Sequence, residues 1–289
     1  MKCLHPRRLF DTGLLTENGK KAYVFDSTGT EVITPFQAMK AGYEVYHDLK
    51  DYIDIPCGVC VACRQNRARS WSFRCLAELQ GTTALFLTIT YDDENNPGYL
   101  LKKDLQDFHK RLRKAFGPFR FYACGEYGDT THRPHYHGIY YGLRMPADAS
   151  CLYDNGDNSL YSSESLSKVW GKGFVVIGAC TPSSIAYVSG YVSKKFETPG
   201  VFSLMSRKPG IGLEWIRANA KPGEVVCLPS GDGGVIKGVI PRSAFPAFAH
   251  EVITDVDYIG LGPVSKTVLN QWRWAQDYCL KHPVSKRFR

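Results

Sequence analysis

Nowhere in its 289 residues does this chain carry a long apolar run. A helix that crosses a bilayer needs ~18 or more such residues, so no membrane partner is expected. The opening MKCLHPRRLF has no apolar segment of the kind that directs secretion. Neither GxxxxGKS nor GxxxxGKT occurs, which removes the loop that cradles nucleotide phosphates and, with it, a nucleotide cofactor or a built-in motor. Internal repeats and low-complexity tracts are missing as well. Acidic residues are scarce relative to basic ones, 28 against 36, and the formal net charge of +8 favours a polyanionic partner.

What is present is enough apolar material for a core. Hydrophobic residues make up 44% of the chain and aromatics 13%, which excludes a mostly disordered polymer. The length allows one large domain or two modest ones. Ten cysteines fall along the chain, clustered only at Cys57, Cys60 and Cys63. With no secretory segment, the reading is a reducing cytosol in which cysteines are thiols or metal ligands. The CxxCxxC group supplies three thiolates, and a structural zinc ion normally takes four. Cys3 is the candidate fourth ligand, with His5 and Cys75 as the other choices.

Directly after the cluster, RQNRARSWSFRCLAELQ has Ala68, Trp71, Cys75 and Leu79 at helical spacing. Arg64, Arg67, Arg69 and Arg74 lie largely off that stripe and are candidates for contacts to a phosphate backbone. The clearest periodicity follows. ALFLTITY and FRFYACGEY alternate as strands do, and HYHGIYYGL and FVVIG read as two more. LLKKDLQDFHKRLRKAFGP is a helix with Leu105, Phe108 and Leu112 on one stripe, and its cationic face is expected to meet solvent. TPSSIAYVSGYVSKKF is a second helix, with Thr181 as N-cap and Pro182 at its first position. A looser insertion covers roughly 146–165. This order predicts an α+β fold over residues 82–196, a two-layer arrangement of an antiparallel sheet with helices on one face. A cysteine module with its basic helix, 1–81, precedes it, and an extension of unassigned role, 197–289, follows. In that extension SKTVLNQWRWAQDYCLK reads as a helix.

Three groups carry chemistry. His135 and His137 lie two apart on a strand, so both imidazoles project from one face and can grip one metal ion. On the preceding strand Glu126 shares a face with Cys124, Tyr122 and Arg120. If Gly128–Pro134 is the hairpin connection, Glu126 falls opposite His135 or His137, with His132 as a competing ligand. A His₂Glu set leaves coordination positions open, as catalysis requires, and Mg²⁺ or Mn²⁺ is the expected ion. The third group is Tyr187, Tyr191 and Lys194, whose spacings of 4 and 3 place them on one helical arc. A tyrosine oxygen can attack a phosphodiester, and a nearby ammonium can stabilise the developing charge.

In that order the motifs resemble those of the HUH endonuclease superfamily. With MKCLHP, CGVCVAC, FLTITYDDE, GEYG, HRPHYHG, WGKGF and YVSGYVSKK, the chain is similar to the rolling-circle replication initiators of small single-stranded DNA phages, the microviruses, of gokushovirus type. The resemblance implies a ferredoxin- or RRM-like palm and a sequence-specific endonuclease acting on single-stranded origin DNA in the cytoplasm of a bacterial host. One tyrosine nicks the origin and stays joined to the 5′ phosphate, and the strand is later rejoined. Host helicase and polymerase supply unwinding and synthesis. The family pattern puts a lysine three residues after each tyrosine. Here Tyr191 has Lys194 while Tyr187 has Gly190, which ranks Tyr191 first and leaves Lys195 as a substitute cation that could also contact DNA. The alternatives are an HUH transposase or relaxase, and a non-catalytic DNA-binding or packaging protein on the same sheet.

Overall fold

Strands that are apolar on both sides need cover on both sides, and this requirement organises the structure. The computed structural model describes residues 2–15, 21–25, 52–128, 130–156, 159–194, 198–221, 225–229 and 235–239. They fall in two units, one within residues 1–66 and one within 67–252. The first contains an antiparallel sheet of order β2-β1-β3, made from β1 (Arg7–Leu15), β2 (Lys21–Phe25) and β3 (Tyr52–Ile55). Helix α1 (Val61–Leu79) follows, and the division between the units falls inside it.

The second unit runs through β4 (Ala84–Tyr91), α2 (Lys102–Phe116), β5 (Arg120–Tyr127), β6 (Pro134–Tyr141), β7 (Ser150–Tyr153) and β8 (Leu160–Ser162). It continues with α3 (Glu164–Trp170), β9 (Gly173–Ala179), α4 (Pro182–Lys194), β10 (Phe202–Met205), α5 (Leu213–Asn219), β11 (Val225–Pro229) and β12 (Val235–Val239). Seven of these strands form one sheet of order β10-β5-β6-β4-β9-β8-β7, every neighbouring pair antiparallel. The β11–β12 hairpin is separate. The four strands and both helices read from periodicity in this region are all present, and the insertion holds the β7–β8 hairpin and the start of α3. The helix expected within SKTVLNQWRWAQDYCLK lies outside the described residues.

The α+β class and the antiparallel sheet stand as expected, and the helical layer on one face is α2 with α3. There Leu105, Phe108, Leu112, Leu166 and Trp170 bury against Leu87, Ile89, Tyr136, Tyr140 and Ile177. A second helical layer covers the opposite face, so the unit has three layers rather than two. Ile185, Val188 and Tyr191 of α4, with Phe73, Cys75 and Leu76 of α1 and Ile216 of α5, pack on Tyr122, Cys124, Ile139 and Tyr141. The reason lies in β5 and β6, whose aromatic and aliphatic residues occupy alternate and intervening positions alike. β10, beyond residue 196, adds the edge strand next to β5.

Local chemistry sets the ends of the elements. Gly117, at φ +86°, closes α2 by donating its N–H to the Arg113 carbonyl at 3.0 Å. Ser184 N–H donates to Thr181 Oγ1 at 3.1 Å, capping α4 as expected. In WGKGF, Gly173 sits at φ +138°, where a Cβ would stand 2.4 Å from Asp92 N and Thr90 O, so only glycine lets β9 approach β4 here. The cationic face of α2 is exposed, with Lys103 and Lys110 bracketing Asp107. Two of its arginines also brace the fold. Arg111 donates to the Val169 and Trp170 carbonyls at 2.8 Å each, and Arg113 lies 4.4 Å over the Phe119 ring.

His109 of α2 is buried against Phe121, with its Nε2 2.9 Å from the Tyr140 hydroxyl. Burial, assisted by the positive charge of Arg113, lowers its pKa to about 3. Between the unfolded value of ~6.5 and that value, the unfolded chain takes up a proton that the folded chain refuses. Stability is therefore full above a pH of ~6.5 and falls on acidification, at up to ~1.4 kcal/mol per pH unit from this group. Chemical denaturation of His109→Gln at a series of pH values from about 7 to about 4 should give a flatter decline than the wild type. Equal slopes would refute the assignment.

Candidate metal centre and tyrosine pair

The centre is built by the pairing of β5 with β6. In the connection, Gly128 N–H donates to the Arg133 carbonyl and His132 N–H to the Gly128 carbonyl, each at 3.0 Å. This turn fixes a register in which Glu126 is opposite His135 and Cys124 opposite His137. β4 lies on the far side of β6, with Thr90 opposite His135 and Thr88 opposite His137. The expected hairpin and shared face are both present. His132, at φ +50° in the turn, is exposed and stands apart from the donor group.

Glu126, His135 and His137 bring one ligand atom each to within 4.8 Å of one another. The Oε1 of Glu126 lies 2.9 Å from His135 Nε2 and 2.7 Å from His137 Nε2. The His135 Nδ1–H donates to the Arg133 carbonyl at 3.0 Å, which leaves Nε2 with its lone pair toward the carboxylate. His137 Nε2 is buried and, despite its proximity to Glu126, makes no aligned hydrogen bond. Burial by itself would raise the Glu126 carboxyl; hydrogen bonds from His135, His137 and Tyr191 outweigh it and hold the group well below the usual carboxylate range. A buried carboxylate facing imidazole lone pairs, with one donor unsatisfied, is a donor set suited to a divalent cation.

Both tyrosines of α4 come to this carboxylate. The Tyr187 hydroxyl donates to Glu126 Oε1 at 2.9 Å, and its ring meets His137 edge-on at 5.3 Å. Tyr191 stacks edge-on against Tyr187 at 5.0 Å and hydrogen-bonds to Glu126 and Tyr187. Burial first, then the Glu126 charge, pushes the Tyr187 phenol up to about 12; the same causes raise Tyr191 further. The two differ in access, since Tyr187 is 47% exposed and Tyr191 4%. Lys194 is the last residue of α4, and Lys195 lies outside the described residues.

Two residues at the centre carry no motif signal. Thr88 Oγ1 is 3.0 Å from His137 Nδ1, and the Phe86 ring stacks on His137 at 5.6 Å. The available sign was the threonine at every second position of an otherwise apolar strand. Of the candidate phosphate-contacting arginines, Arg67 and Arg69 are exposed and Arg64 is half-buried. Arg74 is engaged internally, stacked 4.1 Å over Trp71 and donating from Nε to the Ile211 carbonyl at 2.9 Å.

A second donor group lies in the first unit. Cys3, Cys57, Cys60 and Cys63 bring their sulfurs within 4.8 Å of one another. Cys3 to Cys60 is 3.8 Å and Cys57 to Cys63 is 3.9 Å. Backbone N–H groups of Cys57, Cys60 and Leu4 point at Cys3, Cys57 and Cys60 sulfurs at 3.2, 3.3 and 3.5 Å. Burial works against ionisation of Cys60, yet hydrogen bonds from the Cys63 and Leu4 amides lower it to about 7. The fourth position left open among Cys3, His5 and Cys75 goes to Cys3. His5 is exposed outside the group, and Cys75 is buried in the core of the second unit.

Fold and site together define a class: an α+β protein whose antiparallel sheet presents a two-histidine, one-carboxylate donor set to a helix-borne tyrosine pair. Residues 84–196 match the family of the phage replication-associated protein ORF2, and this segment belongs to it. Over 211 residues the chain is 34% identical to replication-associated protein VP4 of Bdellovibrio phage phiMH2K, covering 65% of each. It is 28% identical over 218 residues to replication-associated protein ORF2 of Spiroplasma virus 4, covering 67% of this chain and 68% of that one. With replication-associated protein ORF4 of Chlamydia phage 1 it shares 31% identity over 163 residues, 52% of this chain and 41% of the other. The chain thus spans just under two thirds of the first relative's length and less of the third's. No solved structure matches. The resemblance to microvirus replication initiators carried by the motifs is upheld by these relatives.

The donor geometry generates a direct expectation. Titrated with Mn²⁺ and followed by the paramagnetic resonance of the free ion, the protein should bind one equivalent at this centre. His135→Ala and His137→Ala should each weaken binding by ~10-fold or more, in line with the loss of a ligand, while Cys60→Ala leaves it unchanged. Undiminished binding in both histidine variants would disprove the site.

Proposed function

We propose that this protein initiates rolling-circle replication of a phage genome by nicking single-stranded origin DNA and later rejoining the strand. The observation that carries this reading is the convergence of His135, His137 and the Tyr187 hydroxyl on one carboxylate oxygen of Glu126. Glu126, His135 and His137 hold Mg²⁺ or Mn²⁺, which supplies positive charge to polarise the scissile phosphate. A tyrosine oxygen attacks phosphorus; the new O–P bond forms as the P–O3′ bond breaks, and the phenolic proton ends on the released 3′ oxygen. The 5′ phosphate stays on the protein and the free 3′ hydroxyl primes synthesis. The reverse reaction with a second 3′ end restores a closed strand, so no external energy source is consumed. Lys194, one turn from Tyr191, offers charge to the developing oxyanion.

Motif spacing favours Tyr191, and access favours Tyr187, whose hydroxyl is on the solvent side of the pair. In this reading Tyr187 meets the strand first and Tyr191 serves the joining step. Exposed Arg67 and Arg69, with Arg64 and Lys195, hold the phosphate backbone in register. Unwinding and synthesis fall to host helicase and polymerase, consistent with the missing phosphate-loop motif.

The cysteine group serves a separate structural role with zinc. Four thiolates around an ion at a Zn–S distance of ~2.3 Å form a tetrahedron with edges of about 3.8 Å, which matches the sulfur spacings. Elemental analysis should return one tightly held zinc per chain that survives substitution of His135 and His137 but not Cys60→Ala. Zinc lost with the histidines and kept without Cys60 would refute this assignment.

The decisive assay incubates the protein with Mn²⁺ and single-stranded fragments tiling the phage genome, then resolves it under denaturing conditions. One fragment should give a covalent protein–DNA band. Tyr187→Phe should reduce that band by ~10³-fold or more, as removal of an enzyme nucleophile does. Tyr191→Phe should retain the first nick and lose joining. An undiminished band in the doubly substituted protein would overturn the nucleophile assignment. Absence of any band alongside intact Mn²⁺ binding would replace the nicking reading with that of a DNA-binding protein.

A further inference from the structure

The geometry points to Thr88 as the positioning residue that sets which nitrogen of His137 is bare, and so makes it competent to hold the cation. The inference rests on the metal reading above and deepens it. A neutral imidazole carries one ring proton, and only the other nitrogen has a lone pair to give. For His135 the choice is made by the backbone. Its Nδ1 faces the Arg133 carbonyl, which can only accept, so the proton stays on Nδ1 and Nε2 is bare.

His137 has no such carbonyl. Its Nδ1 faces the Thr88 hydroxyl at 3.0 Å, and a hydroxyl can either accept or donate. If the hydroxyl donates, the ring proton moves to Nε2 and closes that nitrogen to an ion. With the hydroxyl accepting, Nε2 is bare and aimed at the same Glu126 oxygen as His135 Nε2. A proton on Nε2 would gain little, because that atom lies 2.7 Å from Glu126 Oε1 without the alignment of a hydrogen bond. The balance therefore falls to the accepting hydroxyl. Thr88 is well suited to hold it there. Its β-branched side chain has few rotamers, and β4 carries it directly opposite His137 in the ladder. Phe86, two residues earlier on the same face, lies at 17° to the imidazole and fixes the ring plane. Metal-binding histidines are commonly oriented in this way by a partner on the second nitrogen, and loss of such a partner costs about 10–100-fold in affinity.

The test uses the full chain with Thr88→Val, which keeps the shape and removes the hydroxyl, and Thr88→Ser, which restores it. In metal-free protein labelled with ¹⁵N-histidine, long-range proton–nitrogen correlations report the protonated nitrogen of His137. Wild type and Thr88→Ser should carry the proton on Nδ1, and Thr88→Val should shift it toward Nε2. In Mn²⁺ titrations Thr88→Val should bind about 10–100-fold more weakly, with Thr88→Ser close to wild type and circular dichroism unchanged in both. A Thr88→Val protein with wild-type protonation and wild-type Mn²⁺ affinity overturns the role of Thr88 while leaving the metal reading intact. A wild-type protein that binds no Mn²⁺ overturns the metal reading and the inference with it.

Discussion

The antiparallel register of β5 against β6 is the constraint on which the rest of the site depends. Side chains alternate along a strand, so a slip of one residue would send Glu126, His135 and His137 to the opposite face. Two features hold the register. The turn between the strands is closed by its own backbone hydrogen bonds, and the intervening residues are committed elsewhere. Tyr136, between the two histidines, is fully buried on the other face, where its hydroxyl contacts Tyr91 at 2.6 Å and donates to the Leu101 carbonyl at 3.0 Å. The site thus inherits its precision from a core that contains none of its donors.

Helix α4 then supplies what the sheet lacks. Ile185 and Val188 anchor it on the sheet, and Ser189 meets Ser72 of α1 at 2.5 Å between their hydroxyls. The remaining arc carries Tyr187 and Tyr191 to Glu126. A three-layer arrangement is what makes this possible, since a face left open to solvent would neither bury Glu126 nor hold tyrosines over it. Burial sharpens every interaction at the centre. The carboxylate is kept ionised by its partners against the cost of desolvation, and the same negative charge raises the phenols beside it. Positive charge is the missing component, and the proposed cation supplies it.

The positive charge of the chain is less available for ligands than the total suggests. Arg111 and Arg113 tie α2 to α3 and to Phe119, and Arg133 donates to the Tyr91 carbonyl and to Asp93. Arg120 pairs with Glu78 and reaches the Pro209 carbonyl, while Arg74 joins Trp71 to Ile211. These guanidiniums satisfy carbonyls that strands and helix ends leave over. Arg67 and Arg69 remain on the surface, which concentrates the candidate phosphate contacts on α1.

Much of this was legible in the order of residues. Alternation of period two gave β4, β5, β6 and β9 to within a residue or so, and helical stripes gave α1, α2 and α4, because those patterns are local consequences of burying one face. The donors Glu126, His135 and His137 followed from the same alternation. Short elements such as β7, β8, α3 and β10 were not legible, since three to seven residues carry too little pattern to outweigh their turns. Cys3 was one of three open choices for the fourth thiolate, and only folding brought residues 3 and 57–63 together. The sequence by itself therefore determined which chemical groups exist and which share a strand face. Tertiary structure alone decided that Tyr187 meets Glu126 in the open while Tyr191 is enclosed, that Arg74 is spent internally, and that Thr88 faces His137. Those outcomes depend on how separate elements dock, and no local period records that.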